Sequence, residues 1–165
     1  MRIKILVSAC LLGSKVRYNG TDKKAQNDDF EWLLSNHEII PLCPEVAAGL
    51  PTPRPPAEIQ FGTGEDVLTS KANVMGNDGV DVTAEFIRGA HIALEVCLAE
   101  GIQYAVLTEL SPSCGSSDVY DGRFSGKTVP GAGVVAALLK QHGIRVFNQH
   151  NVGHLKALLA PIQNI

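Results

Sequence analysis

The sequence lacks the marks of several large protein classes. Its 14 Lys and Arg stand against 17 Asp and Glu, and the basic residues form no run. No phosphate-backbone groove can be read from that distribution, so a nucleic-acid partner is not expected. No apolar stretch approaches the roughly 18 residues of a membrane helix, so no membrane partner is expected either. The opening MRIKILVSACLLG carries two positive charges and a short apolar run. Its β-branched residues and the VRYNG turn after it suit a first strand better than a secretory leader. The expected location is therefore cytoplasmic, where cysteines serve as ligands, catalysts or core residues rather than as disulfides. There are 4 cysteines and no C-x-x-C pair, which argues against a redox dithiol and a paired-cysteine zinc module. The glycines of VPGAGVV are followed by no Lys-Ser/Thr pair, so they form no Walker loop.

What is present is an ordinary globular composition, 45% apolar over 165 residues. That suffices for one domain with a core, and residues 1–165 are read as a single domain. Residues 3–7 (IKILV) form an unbroken apolar run, the pattern of a buried parallel strand. Residues 37–42 (HEIIPL) give a second strand, which Pro41 makes short or places at an edge. Residues 104–107 and 144–147 give a third and a fourth. Between them lie helical patterns. The first is capped by Asp28 or Asp29. The clearest runs over 83–100, with Ile87, Ala90, Leu94, Cys97 and Leu98 on one face and Gly101 as its stop. Others begin after Gly133 and span 152–159. Residues 59–74 read as a small β-hairpin turning through GTGED. Residues 49–59 hold four prolines and make a stiff arm around Arg54. The fold class expected is α/β: a three-layer, Rossmann-like, mostly parallel sheet with a hairpin excursion.

Cys10, Cys43 and Cys114 each come just after a predicted strand. Parallel strands deliver the residues at their carboxyl ends to one sheet edge, where ligands bind. Cys97 lies on a helix stripe and belongs to the core. Three convergent thiols admit several readings. A structural zinc normally takes four ligands, and a catalytic zinc with three usually includes His. A four-iron cubane usually takes four thiolates, so three leave one iron open. Glu45, Glu109, Ser111, Arg17 and Arg54 sit beside these thiols and are candidates for substrate work. The turn at Gly131 and Gly133 could expose a helix N-terminus to a phosphate or serve close packing.

The blocks VSACLLG (7–13), VRYNG (16–20), PLCPEV (41–46), GLPTPRPPAEI (49–59) and SPSCGSSDVYDGRFSG (111–126) resemble those of the bacterial thiouracil desulfidase family. The resemblance spans nearly the whole chain. It implies a single α/β domain carrying a [4Fe-4S] cluster on Cys10, Cys43 and Cys114, with one open iron for the sulfur of a small thiolated pyrimidine. Oxygen-exposed protein is expected to lose the cluster. The implied reaction is non-redox: water replaces sulfur, and hydrosulfide leaves. Glu45 matches the family's catalytic glutamate and Ser111 its catalytic serine, while Cys97 matches no ligand. Arg17, Asn19, Arg54 and Glu109 are expected at the substrate, with Gly131 and Gly133, or an Arg, as a seat for any phosphate. Longer relatives act on thiolated transfer RNA, so this form is expected to take a free base or nucleotide. An iron–sulfur sensor or carrier and a zinc hydrolase are the alternatives.

Overall fold

Lys4–Ser8 is a strand in which Ile5, Leu6 and Val7 are wholly shielded from solvent. A strand buried at consecutive residues must be covered on both faces, because neighbouring side chains point to opposite sides. A computed structural model, describing residues 2–21, 24–25 and 27–163, shows how. In chain order its elements are β1 (Lys4–Ser8), a 3-10 turn (Ala9–Leu12), α1 (Asp28–Asn36), β2 (Glu38–Leu42), α2 (Pro44–Ala47), β3 (Ala57–Gln60), α3 (Gly64–Leu68), β4 (Asn73–Gly76), α4 (Thr83–Glu100), β5 (Tyr104–Val106), β6 (Asp118–Tyr120), β7 (Thr128–Pro130), α5 (Val134–Gln141), β8 (Arg145–Phe147) and α6 (Val152–Gln163).

The central sheet runs β2-β1-β5-β8 with every pair parallel. Leu6 and Ala105 join a core with α4 and α5 on one face; Ile5, Val7 and Val106 join another with α1 and α6 on the other. The result is the expected three-layer α/β fold. Each fully buried aliphatic side chain here contributes about 1.5–3 kcal/mol. β2 is one of the two edge strands, a position that accommodates Pro41. No helix among the described residues is long and apolar enough to cross a membrane.

Several local expectations are corrected. The hairpin around 59–74 is a pair of strands, β3 and β4, but the segment between them is helical. Thr63 and Asp66 close a capping box, with the Thr63 N–H donating to Asp66 Oδ2 at 2.9 Å, and this starts α3 inside the segment read as a turn. The cap of α1 is Asn27, whose side chain accepts the Phe30 N–H at 2.7 Å; Asp28 and Asp29 occupy the first turn, where carboxylates favour the helix N-terminus. On α4 the buried stripe is Phe86, Gly89, Ala90, Ala93, Leu94 and Cys97, while Leu98 is 66% exposed. The antiparallel pair β6–β7 lies between Cys114 and α5, where the sequence predicts no strand.

The Gly131–Gly133 turn is a packing device. Gly131 N–H donates to the Ser117 carbonyl at 2.9 Å, and Gly133 N–H to the Gly115 carbonyl at 2.8 Å. Val134 N–H reaches the Pro112 carbonyl at 2.9 Å and Val135 N–H the Ser113 carbonyl at 2.8 Å. The amides that a phosphate would need are already engaged, and neither glycine lines the main cavity. A Cβ on Gly133 would stand 2.5 Å from the Ser113 carbonyl oxygen. Gly133→Ala is expected to cost about 1–3 kcal/mol by overpacking. Thermal unfolding checks this; a variant as stable as the wild type would contradict it.

Candidate functional site

β1 sits between β2 and β5, so the chain departs from it in both directions and a crevice opens at the carboxyl ends of these strands. A cavity of about 680 Å³ occupies that place. Cys10, Cys43, Cys114, Glu45, Ser111 and Arg54 all line it, as do Arg17 and Glu109.

Each thiol arrives by a different route. Cys10 lies in the 3-10 turn that ends β1, 2.8 Å from Thr108 Oγ1. Cys43 comes directly after β2 and is the N-cap of α2, its thiol 3.9 Å from the Val16 carbonyl. Cys114 lies in the loop after β5, where Ser113 Oγ donates to its sulfur at 3.4 Å. Burial pushes the Cys43 thiol up. Burial also pushes Cys114 up to about 12, outweighing hydrogen bonds from Ser113 and Ser8, with Glu45 and Cys10 adding to the rise. Metal binding takes the thiolate, so a metal must displace these protons.

None of the four cysteines is in a disulfide. Among the described residues no group of three or more His, Cys, Asp or Glu could hold a metal ion. A single zinc draws sulfur ligands to about 2.3 Å of one point. An iron–sulfur cluster is a polyatomic guest that takes thiolates at separate corners. Three thiols, two just after strands β1 and β2 and one in the loop that follows β5, line one cavity and fit the cluster as a donor set. Cys97 supplies no fourth: it is 1% exposed in the α4 core, its thiol pushed up to about 11 by burial.

The polar residues divide by what they already hold. Arg54 Nε donates to Glu45 Oε2 at 3.0 Å, and Nη2 donates to the same oxygen and to the Val16 carbonyl. Its Nη1 reaches the Pro51 carbonyl at 3.1 Å and Thr52 Oγ1 at 3.2 Å. A guanidinium has five N–H donors, and these five bonds engage all of them. Arg54 therefore holds Glu45 in place and has no donor left for a substrate, contrary to the sequence expectation. Glu45 Oε1 accepts no hydrogen bond from a described residue. Ser111 Oγ accepts the N–H groups of Ser113 at 3.1 Å and Cys114 at 3.2 Å, so its own proton is the one shared with Ser113 Oγ at 3.2 Å. Arg17 lies with its guanidinium 5.9 Å from the Tyr18 ring centroid, and no described acceptor engages it. Asn19 is outside the cavity, its side chain capping Thr21 N–H at 3.1 Å.

Glu109 proves to be a brace. Its carboxylate accepts N–H bonds from Leu110, Ser116, Ser117 and Asp118 at 3.0–3.3 Å. Ser116 Oγ donates at 3.2 Å and Asn148 Nδ2 at 2.5 Å. The loop carrying Ser111 and Cys114 is folded around this one group. Asn148, Ser8 and Thr108 are contributors that the sequence reading missed. Asn148 comes directly after β8, so the strand-end logic that located the cysteines could have found it.

Fold and site define a class: an open α/β protein whose ligand cavity is built from cysteines at the carboxyl edge of a parallel sheet. The model of the 2-thiouracil desulfurase family matches residues 5–151, and the chain belongs to that family. The solved structure of TudS, a [4Fe-4S]-dependent thiouracil desulfidase, is 47% identical, with a TM-score of 0.83 over 96% of this chain and 99% of that one. The uncharacterized protein YbbK of Bacillus subtilis (strain 168) is 43% identical over 151 residues, 92% of this chain and 99% of YbbK.

Burial pushes the Glu109 carboxyl up, but the backbone N–H groups of Leu110, Ser117, Asp118 and Ser116 outweigh it and hold the group below its ordinary value of 4.5. A group lowered on folding stabilises fully above its unfolded value, and that stability disappears as pH falls through the folded value. Glu109→Gln is expected to be less stable than the wild type at neutral pH, with the gap closing below pH 4.5. Unfolding temperatures across that range check this; a constant gap would contradict it.

Proposed function

We propose that this chain is a [4Fe-4S]-dependent thiouracil desulfidase. It replaces the sulfur of a thiolated pyrimidine with oxygen from water, and the sulfur leaves as hydrosulfide. The thiocarbonyl carbon exchanges its bond to sulfur for a bond to oxygen; no electrons are transferred. The observation that carries this reading is the sharing of one cavity by Cys10, Cys43, Cys114, Glu45 and Ser111. The family and the likeness to TudS support it.

Cys10, Cys43 and Cys114 hold the cluster, which when bound supplies a soft Lewis-acid site that polarises the thiocarbonyl. Glu45 acts on the attacking water. Its Oε2 is fixed by Arg54, so Oε1 is the oxygen that takes the proton. The Arg54–Glu45 pair is nearly buried, with side-chain exposures of 6% and 14%, so the carboxylate is held in one orientation rather than sampling solvent. Ser111 has both lone pairs taken by backbone N–H groups and acts as a donor, turning its proton from Ser113 Oγ to the pyrimidine ring when substrate is bound. Arg17 is the cavity cation left to meet an anionic group on the substrate.

Glu45→Ala is expected to keep the visible absorption of the anaerobically reconstituted cluster. Its rate of hydrosulfide release from thiolated uracils should fall by about 10²–10⁴. Wild-type release by a fully loaded variant would remove Glu45 from this role.

A further inference from the structure

One buried carboxylate in the cavity has no part in the reaction as assigned to Glu45 and Ser111. Glu58 lies on β3 and is 9% exposed. One of its oxygens, Oε1, accepts the N–H groups of Gly122 at 3.0 Å and Phe124 at 3.2 Å. Gln60 lies on the same strand face two residues on, and its Nε2 donates to the Gly122 carbonyl at 3.2 Å. The turn held in this way is part of the cavity: Tyr120, Phe124 and Gly126 line it together with the three cysteines and Glu58 itself.

The turn needs this support. Phe124 has a φ of 55°, the left-handed region that non-glycine residues rarely occupy. Gly122 has a φ of +89°, and a side chain there would collide with the Ile59 carbonyl, so the turn is pressed onto the β3 backbone. Its other hydrogen bonds are local. Arg123 N–H donates to Asp121 Oδ1 at 2.9 Å and Asp121 N–H to the Lys127 carbonyl at 3.0 Å. Among the described residues, the bonds that tie the 121–126 turn to the rest of the chain beyond β6 and β7 end on Glu58 and Gln60.

We propose that Glu58 is a positioning residue for the desulfidase reaction: it fixes the 121–126 turn as a wall of the substrate cavity. The proposal rests on the desulfidase reading for its substrate. Glu58 works as a hydrogen-bond acceptor, so an amide oxygen at the same place does the same work, whereas a methyl group releases the wall.

The test compares Glu58→Ala, Glu58→Gln and Gln60→Ala with the wild type, with cluster loading read from visible absorption. In Glu58→Ala, KM for 2-thiouracil is expected to rise about tenfold while kcat stays within about twofold. Trypsin cleavage after Arg123, monitored on the same protein, is expected to accelerate about tenfold as the turn opens. Glu58→Gln should rescue both readouts. Gln60→Ala removes a single bond and should move both in the same direction by less; it carries the test if Glu58→Ala does not fold. Wild-type KM and cleavage in the alanine variants would overturn the proposal. So would a loss of kcat in Glu58→Gln, which would place the carboxylate's charge in the reaction itself. If the wild type releases no hydrosulfide from any thiolated pyrimidine, the desulfidase reading fails alone, and the cleavage comparison still decides the wall.

Discussion

The site depends on the burial of the Glu109 carboxylate. Cys10 and Cys43 are carried almost directly by the ends of β1 and β2, so the sheet itself places them. Cys114 comes well after β5 in a loop with no regular structure, and such a loop has no lattice of its own to fix a thiol. The lattice is supplied by one anion. Four backbone N–H groups, the Ser116 hydroxyl and the Asn148 amide converge on Glu109, and α5 is stitched to the same loop through Gly133, Val134 and Val135. A buried charge is tolerable only when its hydrogen bonds are satisfied, and here satisfying it determines where Ser111 and Cys114 stand.

An ion pair divides the labour inside the cavity. Arg54 has every donor engaged, two of them on one oxygen of Glu45. Its neighbouring prolines stiffen the arm that carries it, and it reaches across to the Val16 carbonyl, which also faces the Cys43 thiol. One guanidinium thus links the arm, the segment before the Tyr18 turn and the proposed base. A preorganised carboxylate loses little freedom when the reaction begins, which is where such a scaffold lowers a barrier.

Much of this was legible in the sequence, for identifiable reasons. Runs such as IKILV read as buried parallel strands because both faces of such a strand are apolar, and from there topology locates the thiols. Other features depend on partners distant in the chain. Arg54 reads as a cation free for substrate until its five acceptors are seen. Glu109 reads as a site acid because the N–H groups that enclose it are backbone and leave no mark on residue identity. The Gly131–Gly133 turn resembles an anion seat, yet the space beside it is filled by the Ser113 carbonyl. β6 and β7 span three residues each, too short for an alternating pattern, and α3 hides in a glycine-rich stretch with only its Thr63–Asp66 cap to reveal it.

The central claim is that three particular thiols, and not the fourth, are brought together by the carboxyl edge of the sheet. Iron and sulfide content after anaerobic reconstitution of the four single Cys→Ala variants tests it most directly. The account predicts a wild-type complement in Cys97→Ala and loss of the intact cluster in Cys10→Ala, Cys43→Ala and Cys114→Ala. A full, stable complement in Cys114→Ala, or its loss only in Cys97→Ala, would contradict it.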